Sequence, residues 1–356
     1  MILINLVVRN IIKVFEFVFS RNVVSFDERG EADVLKVERR AIPTLKNDQV
    51  LIKVAATTVT TLDVNRRKFL NPNDGLHKLL GMECSGEIVD VGSSVRGHCV
   101  HDKVCALLEG GGYAEYVAVE SWRVLPIPNG IRLDEAATLP YATSVVWHAL
   151  FKVGKLKDGC SILVHAGAGE LGQLAIQLAL LHGCTVFASE TLTGERQFCK
   201  ALGVDCIRHD EHFFDSMLEK TEGRGVDLIF DGMGFNVPHN LKILSRGGML
   251  IITSFCDVRN VPLDLGLFEK KQIKLSGFVF HYMPDEEKKK IIEEIFTHVW
   301  PSFESGKLVQ KVNKRRYTFS EAPEAHATWQ THPGDRILLI PTMSPFNKRK
   351  MWWWWF

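Results

Sequence analysis

Apolar residues change rhythm along this chain. Over residues 23–126 they fall into short runs broken by glycine. Examples are Gln49-Val50-Leu51-Ile52-Lys53-Val54-Ala55 and Gly81-Met82-Glu83-Cys84-Ser85-Gly86-Glu87-Ile88-Val89-Asp90-Val91-Gly92. A third is Gly110-Gly111-Gly112-Tyr113-Ala114-Glu115-Tyr116-Val117. Short strands with frequent glycine turns predict a compact, barrel-like β domain. The pattern shifts near residues 126–130, and Asp134-Glu135-Ala136-Ala137-Thr138 reads as a helix start with Asp134 as its N-cap.

Beyond that point strand and helix periods alternate. Ile162-Leu163-Val164 is a buried strand, and Gly167, Gly169 and Gly172 follow it. Leu171, Leu174, Ala175, Leu178 and Ala179 then repeat at helical spacing, and residues 185–188 form the next strand. Helices are expected at 194–202 and 213–221, and strands at 205–207, 226–231 and 248–253. This alternation is the signature of an α/β doubly wound parallel sheet. A long helix is expected over 284–300, with closing strands near 309–312 and 336–340.

Glycines in GxGxxG spacing, set between a strand and a helix, point to a dinucleotide. In such a turn the first glycine permits the reversal, the second lets backbone approach a pyrophosphate, and the third lets the helix pack on the sheet. The helix start at Glu170 and Leu171 then offers N–H groups and the positive dipole end to phosphate. A glycine-rich structural turn without a ligand is the competing reading.

Composition narrows the class. The 356 residues are enough for two domains, and 46% hydrophobic with 24% charged residues is ordinary for a globular protein. A net charge of +1 argues against a nucleic-acid partner. Eight cysteines, at 84, 99, 105, 160, 184, 199, 206 and 256, lie scattered without CxxC pairs and read as reduced, mostly buried thiols of a cytoplasmic protein. Residues 1–21 are apolar but interrupted by Arg9, Lys13 and Glu16, a poor membrane span. They read either as an amphipathic organelle-targeting helix or as an extension without function. The tail, residues 342–356, ends in four tryptophans beside Lys348, Arg349 and Lys350. It would expose an apolar patch, and a read-through tail is the simpler account than a lipid contact.

His165-Ala166-Gly167-Ala168-Gly169-Glu170-Leu171-Gly172-Gln173-Leu174-Ala175 resembles the cofactor loop of quinone oxidoreductases, the zeta-crystallin-like branch of the medium-chain dehydrogenase/reductases. With the other matching segments the resemblance covers about residues 23–341. It implies a GroES-like catalytic domain from 22–127 and 267–341, and a Rossmann nucleotide domain from 128–266. It also implies a homodimer joined through an edge strand.

Zinc-dependent members place a cysteine, a His-Glu pair and a further ligand at set positions. Here those positions appear as Thr60, Met82-Glu83 and Tyr141, and the four-cysteine lobe is missing. The expectation is therefore no metal. His98 and His101 beside Cys99 read as surface histidines. Without a Lewis acid, alcohol oxidation is disfavoured. Hydride transfer from NADPH, or alternatively NADH, to quinones or related α,β-unsaturated carbonyls remains, with enoyl or alkenal double-bond reduction as the alternative. A cofactor-binding protein without turnover is a third reading.

Cofactor contacts are expected from Gly167, Ala168, Gly169, Glu170, Leu171 and Gly172, then Ser189, Gly232 in the turn Asp231-Gly232-Met233-Gly234, and Ser254. Arg196 would pair with a 2′-phosphate, which Glu190 would oppose. By resemblance to the family motif in the run 59–67, Thr60, Asp63 and Asn65 are the candidate catalytic residues, with Asp63 also suited to cap the following helix. Thr60 stands for an asparagine and Asn65 for a tyrosine of that motif, so the chain departs where chemistry is tuned. Val145 stands where relatives often carry a threonine, with Thr143 or Ser144 as stand-ins for its hydroxyl.

Overall fold

The computed structural model describes residues 20–69, 79–190, 196–232, 234, 236–253, 260–332 and 336–341, with Glu190 and Arg196 described by their backbone only. Residues 1–19, Ser254, Cys256 and the tryptophan tail lie outside the described residues. No described helix is long and apolar enough to cross a membrane. The chain divides into two compact units, residues 1–140 with 312–356, and residues 141–311.

The first unit is β-rich, as the glycine-broken apolar runs predict. Its organising element is the long strand Gln49–Val59, whose alternating residues Val50, Ile52, Val54 and Ala56 are almost fully buried. One side of it pairs with Glu83–Val91. The other side is shared: Tyr116–Glu120 takes the Gln49 end, and Ile337–Ile340 takes the Val59 end. Register irregularities at Leu51/Ile52 and Val54/Ala56 interrupt its pairing with Glu83–Val91. The helix start expected at Asp134 is instead a short 3-10 turn, Glu135–Thr138, with no side-chain cap. The Asp134 carboxylate accepts from Arg132 and, at 2.8 Å, from Arg316, a partner 182 positions away that local reading cannot supply.

The second unit holds six parallel strands. Numbered along the unit, their order is 3-2-1-4-5-6: Asp205–Arg208, Thr185–Glu190, Ser161–Val164, Val226–Asp231, Leu244–Ile252, Lys274–Gly277. Ser161–Val164 sits at the centre, with Ile162, Leu163 and Val164 wholly buried, because helices cover both faces of such a sheet. The strand order reverses between Ser161–Val164 and Val226–Asp231. In open α/β sheets ligands bind beyond the carboxyl ends of the strands at that reversal.

The sequence places the end of this unit at residue 266, and the structure extends it to Lys311. Lys274–Gly277 is the sixth strand, in register with Met249–Ile252. The helix Asp285–His298 is tied to Pro140–Trp147 by the Trp147 indole, which donates to Glu294 at 2.7 Å and stacks on His298. No strand forms over 309–312. Instead the side chain of Gln177 takes the place of a neighbouring strand: its Oε1 accepts from Val309 N–H at 2.9 Å and its Nε2 donates to Val309 O at 2.8 Å. Gln173 likewise accepts from Lys311 N–H at 3.1 Å. Both glutamines are buried on the helix Glu170–Leu181.

Two outcomes follow from these cores. Q177L leaves the Val309 N–H and carbonyl without partners, so urea unfolding should show a loss of about 2 kcal/mol, two hydrogen bonds' worth. Buried His326, bonded through Nε2 to Tyr113 Oη at 2.8 Å, has its pKa lowered to about 3, chiefly by burial and then by Arg67. The folded ring therefore binds its proton less readily than the unfolded one. Stability is complete above the ordinary histidine range near 6.5 and falls as pH drops toward 3. H326Q should remove about 3 kcal/mol of the loss seen between pH 7 and pH 4 in chemical unfolding. An unchanged pH slope in that variant would disprove the assignment.

Candidate functional site

The turn after Ser161–Val164 is built by close approach. His165 N–H bonds to Phe230 O at 3.0 Å and Gly167 N–H to Ser189 O at 3.0 Å, so both neighbouring strands hold the turn. A Cβ on Gly172 would stand 2.2 Å from Ala166 O, which forces glycine there and seats the helix Glu170–Leu181 hard against the strand end. A Cβ on Gly167 would lie 2.8 Å from Ala188 Cβ. The third glycine thus has the expected packing role. The first does not make the reversal: the left-handed residue is Ala166, at φ 49°, and Gly167 is required by packing. Gly169 is the N-cap, and no side chain caps the helix. A helix start leaves its first N–H groups without intrahelical partners, here in the stretch of Leu171 and Gly172.

Gly232 faces this helix start. A Cβ placed on it would lie 3.8 Å from Leu171 Cδ1 and 3.9 Å from Thr253 Oγ1. Glycine-turn and switch-point residues expected from the sequence are therefore brought together: Leu171, Gly172 and Gly232. Thr253 is an addition. Its N–H bonds to Asp231 O at 3.2 Å, and its buried hydroxyl has no partner among the described residues. Its place at the carboxyl end of Leu244–Ile252 is the signal available in the sequence. The expectation fell instead on Ser254, next along, which lies outside the described residues.

Ser189 is turned inward. It is 1% exposed, and its hydroxyl lies 2.8 Å from His165 Nδ1. His165 Nε2 meets Asn240 Oδ1 at 2.9 Å, the Asn240 amide reaches Asp231 Oδ2 at 3.4 Å, and Asp231 Oδ1 accepts from Gly234 N–H at 2.7 Å. Burial lowers the His165 pKa to about 4, so the ring is neutral at pH 7. The Asn240 amide, with its NH2 toward Asp231, assigns the tautomer: Nε2–H donates to Asn240 and Nδ1 accepts from Ser189. One polar chain thus ties the turn after Ser161–Val164 to the carboxyl ends of Thr185–Glu190 and Val226–Asp231. His165 and Asn240 are hidden from a sequence reading because the partners of His165 lie 24 and 75 positions away. Arg196 begins the helix Arg196–Ala201, and its side chain lies outside the described residues.

In the first unit, Thr60 and Asp63 are both fully buried. Thr60 N–H and Oγ1 donate to Asp63 Oδ2 at 3.0 and 2.7 Å, and Asp63 N–H returns to Thr60 Oγ1 at 3.3 Å. This reciprocal pair starts the helix Thr61–Phe69 in the manner of a capping box. Asp63 Oδ1 also accepts from Gly81 N–H at 2.7 Å, where φ is +92°. Burial raises the Asp63 pKa against these bonds. Thr60 and Asp63 thus bond to each other at this helix start, and of the three candidates only half-buried Asn65 presents surface. At the positions where zinc members carry ligands, the Thr60 hydroxyl is committed to Asp63, and Met82 Sδ lies 3.1 Å from Arg66 Nη1. A guanidinium is a repulsive neighbour for a divalent cation. Buried Thr143, a stand-in for the hydroxyl missing at Val145, has its oxygen unpartnered among the described residues.

Comparison with known proteins agrees with this architecture. Residues 46–129 match the alcohol dehydrogenase GroES-like domain, and residues 171–297 match the zinc-binding dehydrogenase family. The 2-methylene-furan-3-one reductase of Solanum lycopersicum is 35% identical over 242 residues, 64% of this chain and 61% of that protein. The NADPH-dependent alkenal/one oxidoreductase, chloroplastic, of Arabidopsis thaliana is 33% identical over 240 residues, 64% of this chain and 60% of that protein. The chain thus spans about three-fifths of the length of these two relatives. Among solved structures, the Escherichia coli quinone oxidoreductase complexed with NADPH superposes with a TM-score of 0.81 at 21% identity, covering 90% of this chain and 100% of that one. CurK enoyl reductase superposes at 0.80 and 23% identity, covering 90% and 99%. With a GroES-like β unit, a doubly wound parallel sheet and both family matches in place, the chain belongs to the medium-chain dehydrogenase/reductase family, and its residues at the zinc positions fit the branch that works without that metal.

Proposed function

We propose that the chain is an NADPH-dependent reductase of conjugated carbonyls, reducing the carbon–carbon double bond of enals and enones, with quinones as a related acceptor class. The observation that carries the reading is the seat at the switch point. A glycine-only approach at Gly172, a helix start with no side-chain cap among the described residues, and a Thr253 hydroxyl without a partner among those residues surround one place. That set fits a dinucleotide: helix N–H groups for the diphosphate, and a buried hydroxyl as a further hydrogen-bonding group for the ligand. When bound, NADPH supplies a hydride to the electron-poor carbon, and the matching proton comes from solvent.

The chain's own residues bind and orient. Gly167 and Gly172 let the turn and the helix pack against the strand end, which sets the helix start for the phosphates, and neutral His165 holds the turn from beneath without adding charge. Arg196 is the proposed partner of the 2′-phosphate. Enals and enones spread developing charge through conjugation, so positioning and exclusion of water suffice without strong polarisation. The printed activities of the tomato and Arabidopsis relatives support the enone and alkenal side of the acceptor range. The quinone enzyme shares the fold at 21% identity and speaks to acceptor choice less.

Binding and turnover measurements test the reading. G172A pushes a methyl into the Ala166 carbonyl and should weaken NADPH binding in a fluorescence titration at least about tenfold, or 1.4 kcal/mol. T253V keeps the shape and removes the hydroxyl, with an expected loss of about 1 kcal/mol. If T253V binds NADPH like the parent, Thr253 does not face the cofactor. R196A should cost NADPH about 1.5–3 kcal/mol and leave NADH nearly unchanged; equal effects on both remove Arg196 from the 2′-phosphate. Finally, turnover with an enone should yield the saturated ketone. An allylic alcohol as product, or NADPH binding without oxidation by enals, enones or quinones, would overturn the proposal.

A further inference from the structure

Two cysteines meet at the amino ends of the central strands, the edge of the sheet opposite the glycine turn. Ser161 and Thr185 are register partners in parallel strands, and Cys160 and Cys184 precede them. Thr185 N–H donates to Cys160 O at 2.9 Å, which sets Cys160 directly opposite Cys184. Gly159 N–H continues the contact to Gly183 O at 3.3 Å. Opposed residues on neighbouring strands share a face, with backbones roughly 4.8 Å apart. That spacing lies within the roughly 4.4–6.8 Å range that a disulfide accepts between Cα atoms. One carbonyl touches both residues: Lys157 O accepts from Cys160 N–H at 3.2 Å and from Cys184 Sγ at 3.4 Å. Both cysteines are free thiols.

We propose that Cys160 and Cys184 are a thiol pair that a low-molecular-weight disulfide converts reversibly into a cross-strand disulfide. Access sets the roles. Cys160 is half-buried, whereas Cys184 is 7% exposed. Burial pushes the Cys184 thiol up to about 11, which suits it to the second step rather than the first. The Cys160 sulfur, its proton lost to solvent, attacks the small disulfide. That S–S bond breaks, one thiolate leaves and takes up a proton, and a mixed disulfide forms on Cys160. The Cys184 sulfur then attacks Cys160 Sγ, releases the second small thiol and gives its proton to it. Two protein thiols are oxidised and one small disulfide is reduced to two thiols. The bond fastens the first two strands of the unit at the end remote from the cofactor turn, and is independent of which acceptor the enzyme reduces.

The test uses the full chain with oxidised glutathione, followed by alkylation and mass spectrometry. Trypsin finds no lysine or arginine between the two cysteines, but cleavage after Glu170 separates them. The expected product is a linked peptide pair holding Cys160 and Cys184, lighter by two hydrogens than the two peptides apart and resolved by dithiothreitol. C184S, checked for native circular dichroism, should stop at a glutathione adduct on Cys160. The idea is overturned if both thiols stay alkylatable while exposed Cys99 is modified. It is also overturned if unaltered chain keeps a stable adduct on Cys160, or if Cys160 links to another cysteine. The readout on unaltered chain needs no variant to fold.

Discussion

The contact between Gly172 and the Ala166 carbonyl governs the second unit. At 2.2 Å from a would-be Cβ there is room for no side chain, so the helix Glu170–Leu181 starts directly beneath the end of the central strand. To bring the carbonyl there, Ala166 takes φ 49°, a left-handed conformation that costs an alanine about 1–2 kcal/mol. The cost is met locally. Gly169 N–H bonds to Ala166 O at 2.8 Å, and Gly167 N–H is held by Ser189 O. The result is a backbone cradle whose shape is set before any ligand arrives, which is what preorganised binding of a diphosphate requires.

Beneath the cradle lies polar rather than apolar packing. Ser189, His165, Asn240 and Asp231 run in sequence under three strand ends. A buried network of this kind is stabilising only when its members are satisfied, and it then fixes one arrangement where an oily layer would permit several. The neutral ring of His165 matters here, because one nitrogen must accept while the other donates. Protonation would bury a charge in this network, and burial is what holds the His165 pKa down at about 4.

The parts of this structure visible in the sequence are those set by neighbours in the chain. The buried run Ile162-Leu163-Val164, the glycine spacing and the alternation of strand and helix are local, and they appear where expected. Thr60 and Asp63 are also local, three apart, yet their family position points to chemistry while their hydrogen bonds make a helix start. A Thr-x-x-Asp pattern ahead of an apolar residue carries that capping signal itself. What stays hidden depends on partners far along the chain. Gln177 looks like a polar interruption of an apolar helix until Val309, 132 positions on, is placed beside it. Asp134 loses its capping role to Arg316 for the same reason.

The first unit's donor set supports the proposed class of acceptor. In a zinc member three ligands converge on an ion that draws charge from a substrate oxygen. Here one of those positions is a hydroxyl already spent on Asp63, and another is a thioether facing the Arg66 guanidinium. Arg66 is itself occupied with the carbonyls of Leu79 and Glu109, at 3.0 and 3.1 Å, so its charge braces the loops rather than reaching a substrate. A saturated ketone taking hydride must place a full charge on one oxygen, and this set offers it little help. A conjugated acceptor takes hydride at carbon and delocalises the charge as it forms, so its barrier depends less on an electrophile and more on alignment. A donor set of this kind is why the enone reading suits this chain better than alcohol chemistry.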